Sequence, residues 1–308
     1  MPRLLLPAAI LLSATAATAE VPQVVTDVPI TQSLVAGVMG DLGRPEVIVT
    51  KGADPHDYQL RPSQARALAG AHIVFWVGPE MTPWLNGPLE ASGAATRVEL
   101  LDVAGTHLRH FEEAEADHAD HDHADETDHA DDHGHDHSGT DPHAWLDPDN
   151  ARTWLAAIAE TLAGADPENA VTYRANADTA AQEIADLDAS LKNRTGALTK
   201  SIVVSHDAYG YLAEHYGLAI AGSLSEGDAA RPGAARVSEL RQILDSGNVA
   251  CVFPEAGHDP KPLSVLTDGT PAKLGAPLDP AGLDLEPGPG LYRAVLGDLI
   301  EKITACAG

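Results

Sequence analysis

Basic residues are scarce in this sequence. The 308 residues include 19 Lys and Arg against 46 Asp and Glu, which gives a formal net charge of −27 with histidine neutral. This imbalance excludes nucleic acid as a partner, because phosphate binding needs Lys and Arg side chains that displace counterions. A strongly acidic surface attracts cations instead.

No apolar run is long. The most apolar stretch, Leu4 to Leu12, is shorter than the ~20 residues that span a bilayer. With Arg3 before it and the small-residue pattern Ala17-Thr18-Ala19 after it, it predicts a secretory signal peptide cleaved after Ala19. No cysteine follows that site, so we expect no lipid anchor and a soluble protein in the periplasm of a Gram-negative cell.

Cysteine occurs only twice, at Cys251 and Cys306. An oxidising compartment favours a disulfide between them, which would pin the final helix to a sheet. The alternative is two free thiols.

Short apolar runs alternate with helix-like segments in each half of the chain. In the first half the predicted strands are Gln23–Thr26, Glu46–Thr50, Ile73–Val77 and Arg97–Leu101. In the second half they are Ser201–Ser205, Leu218–Ala221, Val249–Phe253 and Ala272–Leu274. The helical patterns between them predict an α/β fold with two lobes, each a parallel four-stranded sheet flanked by helices.

One long helical pattern separates the two halves. Asp166 suits the N-cap and Pro167 the first helical position, while Gly196 marks the end. We therefore predict a signal peptide (1–19), an N-terminal lobe (20–165), a rigid linker helix (166–195) and a C-terminal lobe (196–308). A ligand site is expected in the cleft between the lobes.

Residues 106–140 form a low-complexity insertion rich in His, Asp and Glu. Between Glu112 and Asp136 there are twelve acids and no Lys or Arg. The segment lacks the apolar content for a core, so we expect disorder without a ligand, with imidazoles and carboxylates that bind several divalent ions weakly. The predicted auxiliary ligands are His118, His121, His123, His129, His133, His135 and His137. The alternative is a loop that serves only solubility.

Four further side chains are placed for a tighter site. His56, His206 and Asp279 follow predicted strands, and His143 comes just before a predicted helix. Because open parallel sheets bind ligands beyond the carboxyl ends of their strands, these side chains are predicted to converge in the cleft. Three imidazoles and a carboxylate suit tetrahedral Zn²⁺, whereas Mg²⁺ and Ca²⁺ prefer oxygen ligands.

Nearby acids are candidates either to orient the imidazoles or to cap helices. They are Asp57, Asp147 and Asp207.

The stretches that hold these residues resemble the ZnuA-type, zinc-specific solute-binding proteins of bacterial ABC importers. The stretches are Asp54-Pro55-His56-Asp57-Tyr58-Gln59-Leu60-Arg61-Pro62-Ser63, Asp141-Pro142-His143-Ala144-Trp145-Leu146-Asp147-Pro148 and Ser205-His206-Asp207-Ala208-Tyr209-Gly210-Tyr211. The resemblance implies His56, His143 and His206 as metal ligands. It also matches Asp279 to an aspartate ligand in a late Leu-Asp-Pro motif. In some members of the group, water or another acid takes this fourth coordination position. Zinc members of the group carry histidine at the position of His206, whereas manganese members carry glutamate.

The resemblance implies a function: capture of Zn²⁺ in the periplasm and delivery to the membrane permease of an ABC zinc importer. It implies a monomer that is not an enzyme, and a periplasmic zinc chaperone is a further partner to consider. The alternatives are binding of manganese or another divalent metal, a zinc-dependent hydrolase, and a metal buffer or adhesin. The sequence has no His-Glu-x-x-His motif to favour the hydrolase. Glu255 receives no role here, because the stretch Pro254 to His258 departs from the pattern of the group.

Overall fold

The computed structural model describes residues 20–94, 96–111, 139–225 and 233–308. The signal peptide and the predicted auxiliary ligands from His118 to His137 lie outside these residues. No helix in the described ranges combines the length and the apolar character that crossing a bilayer requires.

The N-terminal lobe is built on four parallel strands in the order β2-β1-β3-β4. The strands are β1 Val24–Thr26, β2 Glu46–Val47, β3 Ile73–Trp76 and β4 Thr96–Glu99. The helices are α1 Pro29–Met39, α2 Pro62–Gly70, α3 Asn86–Ala91 and α4 Pro148–Ala165. Every residue of β3 is buried, as expected of an inner strand with helices on both faces.

The C-terminal lobe repeats this plan with the strand order β6-β5-β7-β8, again parallel. The strands are β5 Ser201–His206, β6 Ile220–Ser225, β7 Val249–Phe253 and β8 Lys273–Leu274. The helices are α6 Gly210–Tyr216, α7 Ala234–Asp245, α8 Lys261–Thr267 and α9 Leu291–Ala307. The predicted fold class is confirmed, although β2 is shorter and β6 lies further along the chain than the sequence indicated.

The linker helix α5 spans Ala170–Thr195 and begins later than the predicted cap at Asp166. Asp166 instead ends α4. Its carboxylate accepts hydrogen bonds from Asn169 Nδ2 at 2.7 Å and from the Tyr173 hydroxyl at 2.9 Å. These bonds hold the turn between α4 and α5, which explains why the helix starts three residues after Pro167.

Helix α9 returns from the second lobe to the first. The backbone N–H of Tyr292 donates to Ser33 Oγ on α1 at 3.0 Å, and its hydroxyl donates to the carbonyl of Trp145 at 2.8 Å. All three residues are buried, so these contacts fix one lobe against the other. The same helix carries Cys306, which forms the predicted disulfide with Cys251 on β7, with the two Cα atoms 6.2 Å apart.

Candidate metal centre

A cavity of about 170 Å³ lies between the lobes. The N-terminal lobe contributes His56 and His143 to its wall, and the C-terminal lobe contributes His206 and Glu255. His56 lies in the loop between β2 and α2, His143 just before α4, and His206 ends β5. The structure therefore brings together the three predicted histidines from three separate parts of the chain.

The spacing of the three rings suits one small cation. The centroids of His56 and His143 are 5.8 Å apart, and those of His143 and His206 are 5.3 Å apart. An imidazole that binds zinc through one nitrogen at ~2.0–2.1 Å has its centroid roughly 3.2 Å from the ion. Two such rings at a tetrahedral angle are about 5.2 Å apart, so both measured separations are close to the requirement.

Asp141 orients the ring of His143. One carboxylate oxygen, Oδ1, lies 2.8 Å from His143 Nδ1 and also accepts the backbone N–H of His143 at 3.0 Å. Because a carboxylate only accepts hydrogen bonds, the proton belongs on Nδ1 and the lone pair on Nε2. His143 is 1% exposed, and burial favours a neutral ring over a charged one.

Glu255 plays the corresponding part for His206. Its Oε2 accepts a short hydrogen bond from His206 Nδ1, and both side chains are largely buried. Glu255 follows β7 and is bridged to Leu278, so the sheet fixes its position. The sequence alone assigned Glu255 no role. Its position was nevertheless a signal, because it comes two residues after the predicted strand Val249–Phe253.

His56 is held through its backbone. Its N–H donates to Asp54 Oδ1 at 2.9 Å, and Trp84 Nε1 donates to the carbonyl of the preceding Pro55 at 2.7 Å. Burial is the main cause that lowers the pKa of His56, to about 3. The imidazole is therefore neutral at neutral pH, which is the form that binds a metal.

The structure does not bring Asp279 into the wall of the cavity, although its neighbours Pro280 and Ala281 are there. Both of its carboxylate oxygens accept backbone hydrogen bonds at 2.9 Å, from the N–H groups of Leu283 and Asp284. Burial raises the pKa of Asp279 and these hydrogen bonds oppose the rise. In this arrangement the carboxylate shapes the loop that follows it.

Two of the three acids proposed to orient the ligands, Asp147 and Asp57, have other surroundings. Asp147 caps α4 by accepting the N–H of Asp149 at 2.9 Å, and it contacts the rings of His107 and His215 rather than a candidate ligand. Asp57 is exposed. Asp141 and Glu255 orient the candidate ligands His143 and His206, because each carboxylate lies within hydrogen-bonding distance of an Nδ1 atom.

The histidine-rich insertion joins the fold beside His143. Residues 109–111 and 139–141 form its base, with hydrogen bonds from Phe111 N to Gly139 O at 2.7 Å and from Asp141 N to Arg109 O at 2.9 Å. The hydroxyl of Tyr211 on α6 accepts from Arg109 N and donates to Asp141 O. The two ends of the insertion therefore meet beside Asp141, the residue that orients His143.

The family model described as the periplasmic component A of the zinc-uptake complex, ZnuA, matches residues 24–306. The high-affinity zinc uptake system protein ZnuA of Paracoccus denitrificans is 48% identical, over 99% of this chain and 98% of its own length. The protein of the same name from Brucella abortus is 33% identical, over 92% of this chain and 91% of its own length.

Solved structures agree on the fold. A crystal structure of ZnuA superposes with a TM-score of 0.75 at 22% identity, covering 93% of this chain and 99% of the other. A ZnuA deletion mutant with zinc bound has a TM-score of 0.76 at the same identity. The two-lobed architecture is thus shared across low sequence similarity.

Proposed function

The chain belongs to the ZnuA family of periplasmic zinc-uptake components, and from this premise we propose that His56, His143 and His206 capture Zn²⁺ in the cleft. The family is a metal-binding component of transport and not an enzyme. The protein therefore acts in the periplasm, as part of a zinc-uptake system of the ABC type, and its cargo is the ion itself.

One observation carries the assignment of the ligands. Three imidazoles surround one cavity at separations of 5.8 and 5.3 Å, and two of them donate Nδ1–H to buried carboxylates. Zn²⁺ accepts such nitrogen-rich sets, whereas manganese favours more oxygen ligands. Carboxylate partners also raise the basicity of a metal-bound imidazole and fix its orientation.

The fourth coordination position depends on Asp279. Its carboxylate does not line the cavity, and it already accepts the N–H groups of Leu283 and Asp284 at 2.9 Å each, so a shift toward the ion would strain these hydrogen bonds. A hydrogen bond to a charged group contributes ~1.5–3 kcal/mol. We therefore propose that water takes the fourth position and that Asp279 keeps its place in the loop.

The histidine-rich insertion serves as an auxiliary collector in this proposal. Its histidines bind several ions weakly, and its base lies next to Asp141 and so to His143. We further propose that the signal peptide is cleaved after Ala19, that the mature protein is a monomer, and that it delivers zinc to the membrane permease. Transfer from a periplasmic zinc chaperone is a separate hypothesis.

The test is zinc affinity measured by competition with a chelator. We expect His56→Ala and His206→Ala each to weaken the tight site by more than about 100-fold, which exceeds the usual effect of losing only a hydrogen-bonding partner of a ligand. His72→Ala is the matched control, because His72 is exposed and does not line the cavity. A tight site that survives either ligand variant would refute the assignment.

A further inference from the structure

The mouth of the cavity carries a fourth imidazole. His258 lines the same cavity as the three candidate ligands, but it is exposed whereas His143 is buried. Its backbone N–H donates to the carbonyl of Glu255 at 3.2 Å, which closes a turn after β7. Gly257 within this turn has φ of +81°, a conformation that glycine adopts without strain. One turn therefore holds both the carboxylate that orients His206 and an imidazole that faces solvent.

The charges on the wall have one sign. Among the described residues that line the cavity there are three acids, Asp54, Glu255 and Asp284, and neither Lys nor Arg. Asp54 and Asp284 are exposed and belong to opposite lobes. A cleft lined by one sign of charge concentrates counter-ions near its mouth and raises their association rate.

We propose that His258, together with Asp54 and Asp284, forms an outer binding step for a divalent cation on its way to the three buried histidines. The inference rests on the proposed function. A hydrated ion is attracted by the two carboxylates and exchanges one water for the imidazole nitrogen of His258. It then exchanges the remaining waters for His56, His143 and His206, and departure follows the reverse order.

A step of this kind has a distinctive kinetic effect. It lowers the barrier between the free and the fully bound ion without changing the energy of either state. Its removal therefore slows association and dissociation by the same factor and leaves the equilibrium affinity unchanged. A residue that ligates the bound ion, or one that only supports the fold, would instead change the affinity or the thermal stability.

The experiment is stopped-flow measurement of both rate constants on the full mature chain, with zinc alone as the probe. Trp84 and Trp145 lie next to the ligand loops and offer an intrinsic signal, and excess chelator starts dissociation. We expect His258→Phe to slow both processes by the same factor, with an unchanged Kd. Asp284→Asn should slow association about tenfold, the lower end of the effect of a cleft lined by one sign of charge.

Matched controls are His72→Phe and Asp259→Asn, which alter an exposed histidine and an exposed acid that do not line the cavity. Circular dichroism confirms that each variant is folded. Unchanged rate constants in His258→Phe would overturn the proposal. A higher Kd caused only by faster dissociation would also overturn it, since that result would make His258 a ligand of the bound ion. Failure of the proposed function is distinguishable, because the wild type would then lack a tight site that depends on His56.

Discussion

The imidazole of His215 joins the two lobes through the carboxylate of Asp147. Nδ1 of His215, on α6 of the C-terminal lobe, lies 3.0 Å from Oδ1 of Asp147, at the start of α4 in the N-terminal lobe. Nε2 of the same ring lies 2.8 Å from Oδ1 of Asp188 on the linker helix α5. Only 8% of the His215 side chain is exposed. One buried ring thus contacts both lobes and the linker, and its protonated form can donate to both carboxylates.

This contact predicts a stability that depends on pH. Burial lowers the pKa of His215, but hydrogen bonds and charges from Asp147 and Asp188 outweigh burial, so the net pKa is raised. A raised pKa in the folded state gives a stabilisation that is complete below the unfolded value of about 6.5 and is lost as pH rises through the folded value. We expect His215→Gln to lower the free energy of unfolding at pH 6 by roughly 1.5–3 kcal/mol, the contribution of a hydrogen bond to a charged group.

The difference between wild type and His215→Gln should shrink as pH rises above about 6.5. Urea unfolding of the zinc-free protein at several pH values measures it. His72→Gln is the control, because His72 is an exposed histidine whose ring contact is with the backbone of Gln23. A His215→Gln effect that stays constant across this range would contradict the interpretation.

Glu255→Gln tests the orientation of His206. The neutral amide can still accept from Nδ1, but it no longer increases the basicity of the imidazole through a full negative charge. We expect zinc affinity to fall about 10–100-fold, measured by chelator competition at neutral pH. Glu239→Gln is the matched control, because Glu239 is exposed on α7, where it pairs with Arg236. Equal affinity in Glu255→Gln and wild type would remove Glu255 from the site.

Asp279→Asn separates a role in the loop from a role as ligand. The amide keeps one acceptor oxygen and places a donor where the second backbone N–H now bonds. We expect a loss of about 1–3 kcal/mol in the free energy of unfolding of the zinc-free protein. The visible absorption of the Co²⁺-loaded protein should be unchanged if water holds the fourth position. A shifted and altered cobalt spectrum would identify Asp279 as a ligand.

The disulfide should contribute to stability and not to metal binding. Cys251 and Cys306 are 55 residues apart in sequence, and neither lines the cavity. Replacing both with alanine should lower the free energy of unfolding by about 2–4 kcal/mol, by relaxing the constraint on the unfolded chain. Zinc affinity should stay within about twofold of wild type. A reducing agent should reproduce the loss in wild type and have no effect on the double variant.

Deletion of residues 112–138 should leave the tight site intact. The hydrogen-bonded pair Phe111 and Gly139 brings the two ends together, so a short Gly-Ser linker can join them. We expect calorimetry to show one tight zinc ion in the deletion variant and additional weak ions only in wild type. Loss of the tight ion on deletion would place the insertion in the primary site.

Much of the architecture follows from local pattern. Apolar runs of four or five residues, such as Ile73–Trp76 and Val249–Phe253, have the length and composition of buried parallel strands. Since such strands place the residues after them at one edge of the sheet, the positions of His56 and His206 near a shared cleft were predictable. The linker helix was also predicted, but its start was not, because the side chain of Asp166 bonds to the turn instead of capping the helix.

The partners of these residues were decided only by the tertiary structure. Glu255 reaches His206 across 49 residues of sequence, and Asp188 reaches His215 across 27. Asp279 bonds to the loop beside it and does not line the cavity, although it too follows a predicted strand. Sequence determines which side chains are able to bind a metal or donate a hydrogen bond. Which atoms meet is settled by the angle of each turn and the packing of the two lobes, because hydrogen bonds act only over about 3 Å.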